Sequence, residues 1–422
     1  MPNPALELAM ALALVQNAQS QTDQEPPATS DLGVLAPAPS FEALLQDAAT
    51  RQAYRPPSGP NFRINGQNES TLRFTGYVQT RYIFNARDTD VPDNDITQGF
   101  GFGELRLAAT GNLMGDRLTY NAQMALESGV GRLTDAWVRY QIDEQWAIQM
   151  GSFKPAFLWE ENSSATRQPL VERSLVDSYF RQSRAKQIEA QYRTDHFEAR
   201  LGFSDGWRRN LDSRLGTTWG LTGRVSWLPL GTWSQHSDFQ AWRGEEPMVA
   251  LGLAAHVQDG MPLGISASEM RNRFLNDTMI VSWTADAHAE FDGWTLYGAF
   301  VGEHDRVPGT VGGGTRDAYG ALFQAGYFIT DQTQLNGRFE WGTTDGDLGR
   351  PMGIESAEDE FVAITAGVAH YFYGNNAKIV ADVIVPLDEV GDVWSSTSRG
   401  TATDDAGADG QAVFRVQFQF AF

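Results

Sequence analysis

The closing stretch Gln411-Ala412-Val413-Phe414-Arg415-Val416-Gln417-Phe418-Gln419-Phe420-Ala421-Phe422 decides the fold. Side chains alternate faces along an extended strand, so Phe414, Val416, Phe418, Phe420 and Phe422 share one side while Arg415, Gln417 and Gln419 share the other. An aromatic-rich strand of this kind needs a partner on both edges and apolar cover on its greasy face, because an open edge would pair with other chains. A sheet closed on itself in a membrane meets both needs. Taken alone, the segment also fits the edge strand of a soluble β-protein.

The same alternation recurs upstream. It predicts strands over 72–84, 102–113, 117–128, 133–142, 146–153, 186–193, 196–204, 218–228, 248–258, 278–291, 294–303, 318–329, 333–342, 361–373, 377–386 and 411–422. That is an all-β, transmembrane antiparallel barrel of about 16 strands, an even number as single-chain bacterial barrels have. Connections alternate in length. Segments such as Asp143-Glu144, Thr194-Asp195, Asp292-Gly293, Thr330-Asp331 and Gly374-Asn375 are tight-turn chemistry, whereas 85–101, 154–185, 259–277, 304–317, 343–360 and 387–410 are long. Short turns on one rim and long loops on the other place both ends of the barrel on the periplasmic side. Two connections break the rule: 229–247 is long where a short turn is expected, and 128–132 is short where a loop is expected. A miscount of one hairpin would produce that pattern.

Composition agrees with this reading. Mean hydropathy is -0.36 and no run of about 18 apolar residues follows the N-terminal region, which excludes helical spans but not strands that alternate lipid-facing and water-facing residues. The chain has no cysteine, so neither a disulfide framework nor a thiolate metal site is available, and no cofactor is expected. Its 42 glycines, 24 phenylalanines and 12 tryptophans suit turns and interfacial aromatic girdles. A net charge of -21 argues against a nucleic-acid partner.

Ala5 to Val15 is a short apolar run followed by polar residues, which fits a signal peptide over 1–20, although no Lys or Arg precedes Arg51 and Glu7 sits inside the run. Residues 21–70, rich in Pro, Ala and Ser, read as a flexible or partly helical periplasmic extension ahead of a barrel over 71–422.

Phasing each strand by its greasy face gives the inner wall. Arg73, Arg81, Arg106, Arg139, Arg193, Arg200, Arg224, Arg338, Lys378 and Arg415 point inward, as do Glu104, Glu127, Asp135, Glu189, Glu198, Asp286, Glu290, Glu303, Glu340 and Asp382. Charges of both signs around a flooded interior suit a diffusion pore; wall salt bridges without a role in selectivity are the plainer account of any single one. The excess acidity lies in the loops. Asp88, Asp90, Asp93 and Asp95, then Glu355, Glu358, Asp359 and Glu360, then Asp388, Glu389, Asp392, Asp404, Asp405 and Asp409 are solvated charge, or bridges through divalent cations to outer-membrane lipid headgroups.

The long segment from Lys154 to Lys186 is too long for a plain connection. It is locally basic, with Lys154, Arg167, Arg173, Arg181, Arg184 and Lys186 against Glu160, Glu161, Glu172 and Asp177. It also carries Phe157, Leu158, Trp159, Leu170, Val171, Leu175, Val176, Tyr179 and Phe180, enough apolar surface to pack inside a wide barrel and narrow it. Gly76-Tyr77-Val78-Gln79, Glu104-Leu105-Arg106-Leu107, Asp135-Ala136-Trp137-Val138, Gly151-Ser152-Phe153-Lys154-Pro155 and Glu172-Arg173-Ser174-Leu175 together resemble the phosphate-selective porins O and P, clearly over 72–205 and by architecture beyond. The terminal Phe422 likewise resembles the C-terminal signal of bacterial outer-membrane proteins, which implies recognition by the barrel-assembly machinery. The resemblance implies a sixteen-stranded homotrimeric porin of the bacterial outer membrane, whose third loop folds inward and whose basic residues conduct small anions toward a central site. Arg173 and Lys154 lie in matching motifs, and Arg106 matches a motif position, although the family often doubles the arginine where this chain has Glu104-Leu105. Arg167, Arg181 and Arg184 join them from local charge, and Arg139 from its place on the inner wall. The acidic mouth and mixed lumen depart from a dense basic ladder, so the expectation is a weak preference for anions such as phosphate. A general non-selective porin is the nearest alternative. A barrel enzyme is the more distant one, for which Asp286, His288 and Glu290 on one face are the best residues available.

Overall fold

Alternating faces close into a cylinder. The structure is a computed structural model that describes residues 61–64, 70–89, 96–113, 115–206, 219–259, 279–307, 314–346, 359–391, 394–395, 399–402 and 408–422. The expected signal segment, most of the Pro-rich extension and most of the acidic loop residues lie outside these. A short strand β1 (Asn61–Ile64) is followed by β2 (Ser70–Thr89), β3 (Ile96–Leu113), β4 (Leu118–Ala125), β5 (Arg132–Gln141), β6 (Trp146–Phe153), β7 (Ala185–Arg193), β8 (Phe197–Ser204) and β9 (Trp219–Leu230). The second half is β10 (Met248–Asp259), β11 (Met279–Phe291), β12 (Trp294–Val307), β13 (Gly314–Thr330), β14 (Thr333–Gly346), β15 (Asp359–Tyr373), β16 (Ala377–Pro386) and β17 (Ala408–Ala421).

Strands β2 to β17 form the sixteen staves, each antiparallel to the next. The terminal strand closes the ring on β2, from Ala408 opposite Thr89 to Ala421 opposite Tyr77, and Gly76 and Phe422 exchange both backbone hydrogen bonds at 3.1 and 2.9 Å. Apart from local register shifts, the backbone of the staves is thereby paired within the wall, the condition for strands in hydrocarbon. Outward faces are apolar: Phe414, Phe418 and Phe420 on β17, Leu251 and Leu253 on β10, and Leu201 and Phe203 on β8 are all exposed. Among the described residues no helix is long and apolar enough to cross a membrane.

There is no miscounted hairpin. Both anomalous connections are real, and each has a structural cause. The short one, between β4 and β5, belongs to a low stretch of wall: β4, β6 and β8 have 8 residues each and β7 has 9, against 20 in β2 and 18 in β3. Pairing of β3 to β4 begins only at Arg106 opposite Ala125, so the upper margin of β3 stands without a neighbour on that side among the described residues. The long one, between β9 and β10, folds up into the barrel and meets the constriction loop from below.

Candidate functional site

The loop between β6 and β7 lies inside the barrel, as its apolar content requires. Phe157, Leu158, Trp159, Leu175, Val176, Tyr179 and Phe180 pack in one cluster with the wall residues Ala254, Tyr297, Val301, Leu322, Phe361, Ala363, Ile384 and Val413. Short helical turns at Trp159–Asn162 and Leu175–Phe180 shape it. Ser174 caps the second, its hydroxyl accepting from the Asp177 N–H at 2.8 Å, and the Glu340 carboxylate of β14 accepts from the Leu175 N–H at 2.5 Å.

Wall side chains then take up the loop's backbone carbonyls. Gln79 donates to Ala165 O (3.2 Å), Arg224 to Phe157 O (2.9 Å), Asn336 to Pro169 O (3.2 Å), Arg338 to Glu172 O (3.1 Å), Lys378 to Gln168 O (2.7 Å) and Gln419 to Thr166 O (2.9 Å). Asp382 accepts from the Val171 N–H at 2.9 Å while holding Arg415 through two bonds of 2.7 Å. A loop carries more polar backbone than its own turns can satisfy, and burying it without partners would be costly. Many of the inward cations anticipated from the sequence meet that need.

The segment 231–247 supplies the floor. Trp159 sits in a box of rings, 5.0 Å from His236, 4.7 Å from Phe239, 4.7 Å from His288 and 4.9 Å from Tyr297, and its indole N–H donates to His236 O at 3.1 Å. Arg167 donates to Ser237 O (3.1 Å) and Oγ (2.6 Å), and Gln240 donates back to Arg167 O (3.1 Å). Burial, with Arg224 and Arg193 adding to it, pushes the His236 imidazole down to about 3, so it is neutral at ordinary pH. The Asp286, His288, Glu290 triplet belongs to this packing: Asp286 is paired with Arg224 at 2.8 Å, and His288 faces Trp159 and lies 3.7 Å from Glu290. Sequence reasoning did not foresee this second inward segment. Its signal was present in the excess length and in Trp233, Phe239 and Trp242, aromatics that a solvated turn does not need.

The expected site residues separate into two groups. Arg173 is buried and donates to Glu160 O (3.0 Å) and Ser163 O (2.6 Å), bracing the loop on itself. Lys154, at the loop's root, donates to Glu161 O (2.5 Å); burial and then Arg173 bring it down to about 8. Arg167 ties the loop to the floor, and Arg181 follows the second helical turn as its C-cap. Arg184, Arg106 and Arg139 instead lie toward the opposite wall. Arg184 binds Asp135 of β5 at 2.8 Å, and Arg106 pairs with Glu127 and lies 3.5 Å from Glu104. Arg139 donates to the neutral Gln191 at 2.8 Å.

That wall is where the lumen stays open. Inward side chains of β9 to β17 are nearly all buried against the two inward segments, whereas Thr119, Asn121 and Gln123 of β4, Asp135, Trp137, Arg139 and Gln141 of β5, and Gln191, Glu198 and Arg200 of β7 and β8 keep part of their surface. Carboxylates on this open wall are matched by arginines: Glu104 and Glu127 by Arg106, Asp135 by Arg184, Glu189 by Arg200 at 2.8 Å, and Glu198 by Arg193. Arg139 makes no ion pair among the described residues; Glu198 and Glu189 act on it only from farther away, alongside Arg193 and Arg200. A partly screened guanidinium on a water-filled wall attracts anions and repels cations.

Comparison with known proteins agrees with this architecture. The model of the family described as phosphate-selective porin O and P matches residues 74–422. No curated protein matches. Among solved structures, the chain is similar to an anion-selective porin from Comamonas acidovorans, at 15% identity and a TM-score of 0.56, covering 84% of this chain and 100% of that one. It is also similar to OmpT of Vibrio cholerae in a trimer form, at 13% identity and 0.57 over 84% and 99%, and to the outer membrane channel DcaP of Acinetobacter baumannii, at 9% and 0.52 over 85% and 99%. At these identities the solved structures share the fold.

Proposed function

The chain belongs to the phosphate-selective porin O and P family and is an outer-membrane porin, and from that premise we propose that it passes small hydrophilic solutes with a preference for anions. The observation that carries the preference is Arg139, which makes no ion pair on the wall that remains open. Support also comes from the anion-selective porin of Comamonas acidovorans that shares this fold, and phosphate is the solute that the family's name brings forward. In planar bilayers under a salt gradient, the reversal potential is expected to show anions crossing faster than cations. Arg139→Ala is expected to lower the anion-to-cation permeability ratio by up to about fivefold, the scale of one exposed charge, and Arg139→Glu to lower it further. Cation selectivity of the native channel, or an unchanged ratio in both variants, would defeat the reading. Block of chloride current by phosphate tests the finer solute preference.

The low wall bears on assembly. Phe100, Phe102, Met124, Met150, Leu201 and Phe203 are exposed on and beside the short strands, and the upper margin of β3 lacks a β4 partner. Open backbone at membrane depth needs protein or water beside it. We therefore assign this arc to contact between protomers of a homotrimer, as the trimer form of the structurally similar Vibrio cholerae OmpT encourages. Phe100→Lys with Phe102→Lys is expected to convert the purified assembly to single protomers in light scattering. Trimers that survive both substitutions, made together with Met150→Lys, would move the interface elsewhere.

A further inference from the structure

We propose that Trp137 and Arg139 form a solute subsite for aromatic carboxylates, a deepening that rests on the anion reading above. The two residues are alternate members of β5, so both face the lumen, roughly 7 Å apart along the strand. Register places Asn121 opposite Trp137 and Thr119 opposite Arg139 on β4, and Gln149 opposite Arg139 on β6. The inward surface at this height is therefore an indole, a guanidinium, two amides and a hydroxyl.

Each member has capacity to spare. Arg139 uses its Nε on Gln191 and has no ion pair among the described residues, which leaves the guanidinium's outer nitrogens for a carboxylate. Trp137 keeps part of its surface in the lumen and stacks on no other ring among the described residues, unlike Trp159, Trp242 and Trp394, whose rings are all engaged. The residue beside it on β6 is Gly151, held at φ 139°, where any Cβ would lie 2.1 Å from Ala136 O and 2.6 Å from the Trp137 Cα. No side chain from that strand therefore stands against the backbone at Trp137. One inward step above, Asp135 is occupied by Arg184, so the subsite begins where the constriction loop rejoins the wall.

The chemistry that fits is a flat ring joined to a carboxylate: the ring lies on the indole and the carboxylate reaches the guanidinium. Inorganic phosphate uses only the second contact, and acetate likewise. Trp137 thus separates aromatic acids from small inorganic and aliphatic anions, while Arg139 serves all of them.

Benzoate, acetate and phosphate, each added to one side of a bilayer carrying chloride current through the native porin, supply the test. Benzoate is expected to block at a concentration roughly three- to tenfold below acetate, the range that stacking of one aromatic pair provides. Trp137→Ala is expected to erase that difference while leaving the reversal potential anionic; Trp137→Phe retains part of it; Arg139→Ala weakens block by every anion. Equal block by benzoate and acetate in the native channel, or a benzoate preference that persists in Trp137→Ala, overturns the subsite and leaves the anion reading standing. Heat-modifiable migration of each variant separates a lost contact from a misfolded barrel.

Discussion

Trp159→Ala is expected to loosen the constriction and raise single-channel conductance, with frequent sub-state flicker in place of steady current. The indole is nearly fully buried, ringed by His236, Phe239, His288 and Tyr297, and joined to the floor by its N–H bond to His236 O. Truncating a buried tryptophan costs about 3–5 kcal/mol, and here the loss falls on the junction between two inward segments and not on the ladder of the wall. The barrel should therefore remain folded, with its resistance to detergent and heat intact, while the loop samples other positions. Substituting Phe239 by alanine removes a face of the same box and should produce the same phenotype more weakly. Steady native conductance in Trp159→Ala would show that the wall's hydrogen bonds hold the loop alone.

Glu172→Gln should release the loop's other end. The Glu172 carboxylate meets Arg81 at 2.6 Å and Arg399 at 3.8 Å. Burial alone would push its pKa up, but Arg81 and Arg399 outweigh burial and hold it well below the usual carboxylate range. A pKa lowered in the folded state gives stability that is complete above the unfolded value of about 4.3 and is lost as pH falls toward the folded value. Acid should thus loosen this end of the loop in the native protein, and Glu172→Gln should do so at neutral pH. Removing one partner of a buried pair costs about 3–5 kcal/mol, since Arg81 and Arg399 are left without their anion. Limited proteolysis from the outer face of proteoliposomes reads the effect as cleavage within 154–184 in Glu172→Gln at neutral pH and in the native chain only in acid. Equal resistance of both chains across that range would reject the assignment.

Period-two patterning made the barrel legible because each stave has one face in hydrocarbon, and that constraint acts on every second residue. All the anticipated strands exist, and Phe414, Phe418 and Phe420 face outward while Arg415 and Gln417 face inward. Strand ends were less legible. β2 extends to Thr89 and β13 begins at Gly314, because hairpins that rise beyond the apolar belt keep their backbone pairing without keeping a greasy face. In sequence, 229–247 reads as an anomaly of counting, since nothing local states that a turn will double back into the lumen.

The site was legible as a set of residues but not as a ranking. A motif marks Arg173, yet sequence does not reveal that its donors go to Glu160 O and Ser163 O. Arg81, Arg338 and Arg415 belong to the inner wall as expected, but they meet loop backbone and buried carboxylates. Arg139 looked like any other inward cation. That it makes no ion pair on the open wall depends on who stands opposite on the neighbouring strands, which only the closed ring defines.

Because the groups that anchor the inward segments sit mainly on β9 to β17 and β2, and the wetted residues on β3 to β8, the cylinder is divided into a supporting arc and a conducting arc. Lineages can then retune what crosses the envelope by exchanging side chains on the second arc, without disturbing the bonds that keep the narrowing in place. Solute passage and mechanical integrity become separately adjustable traits of a single molecule.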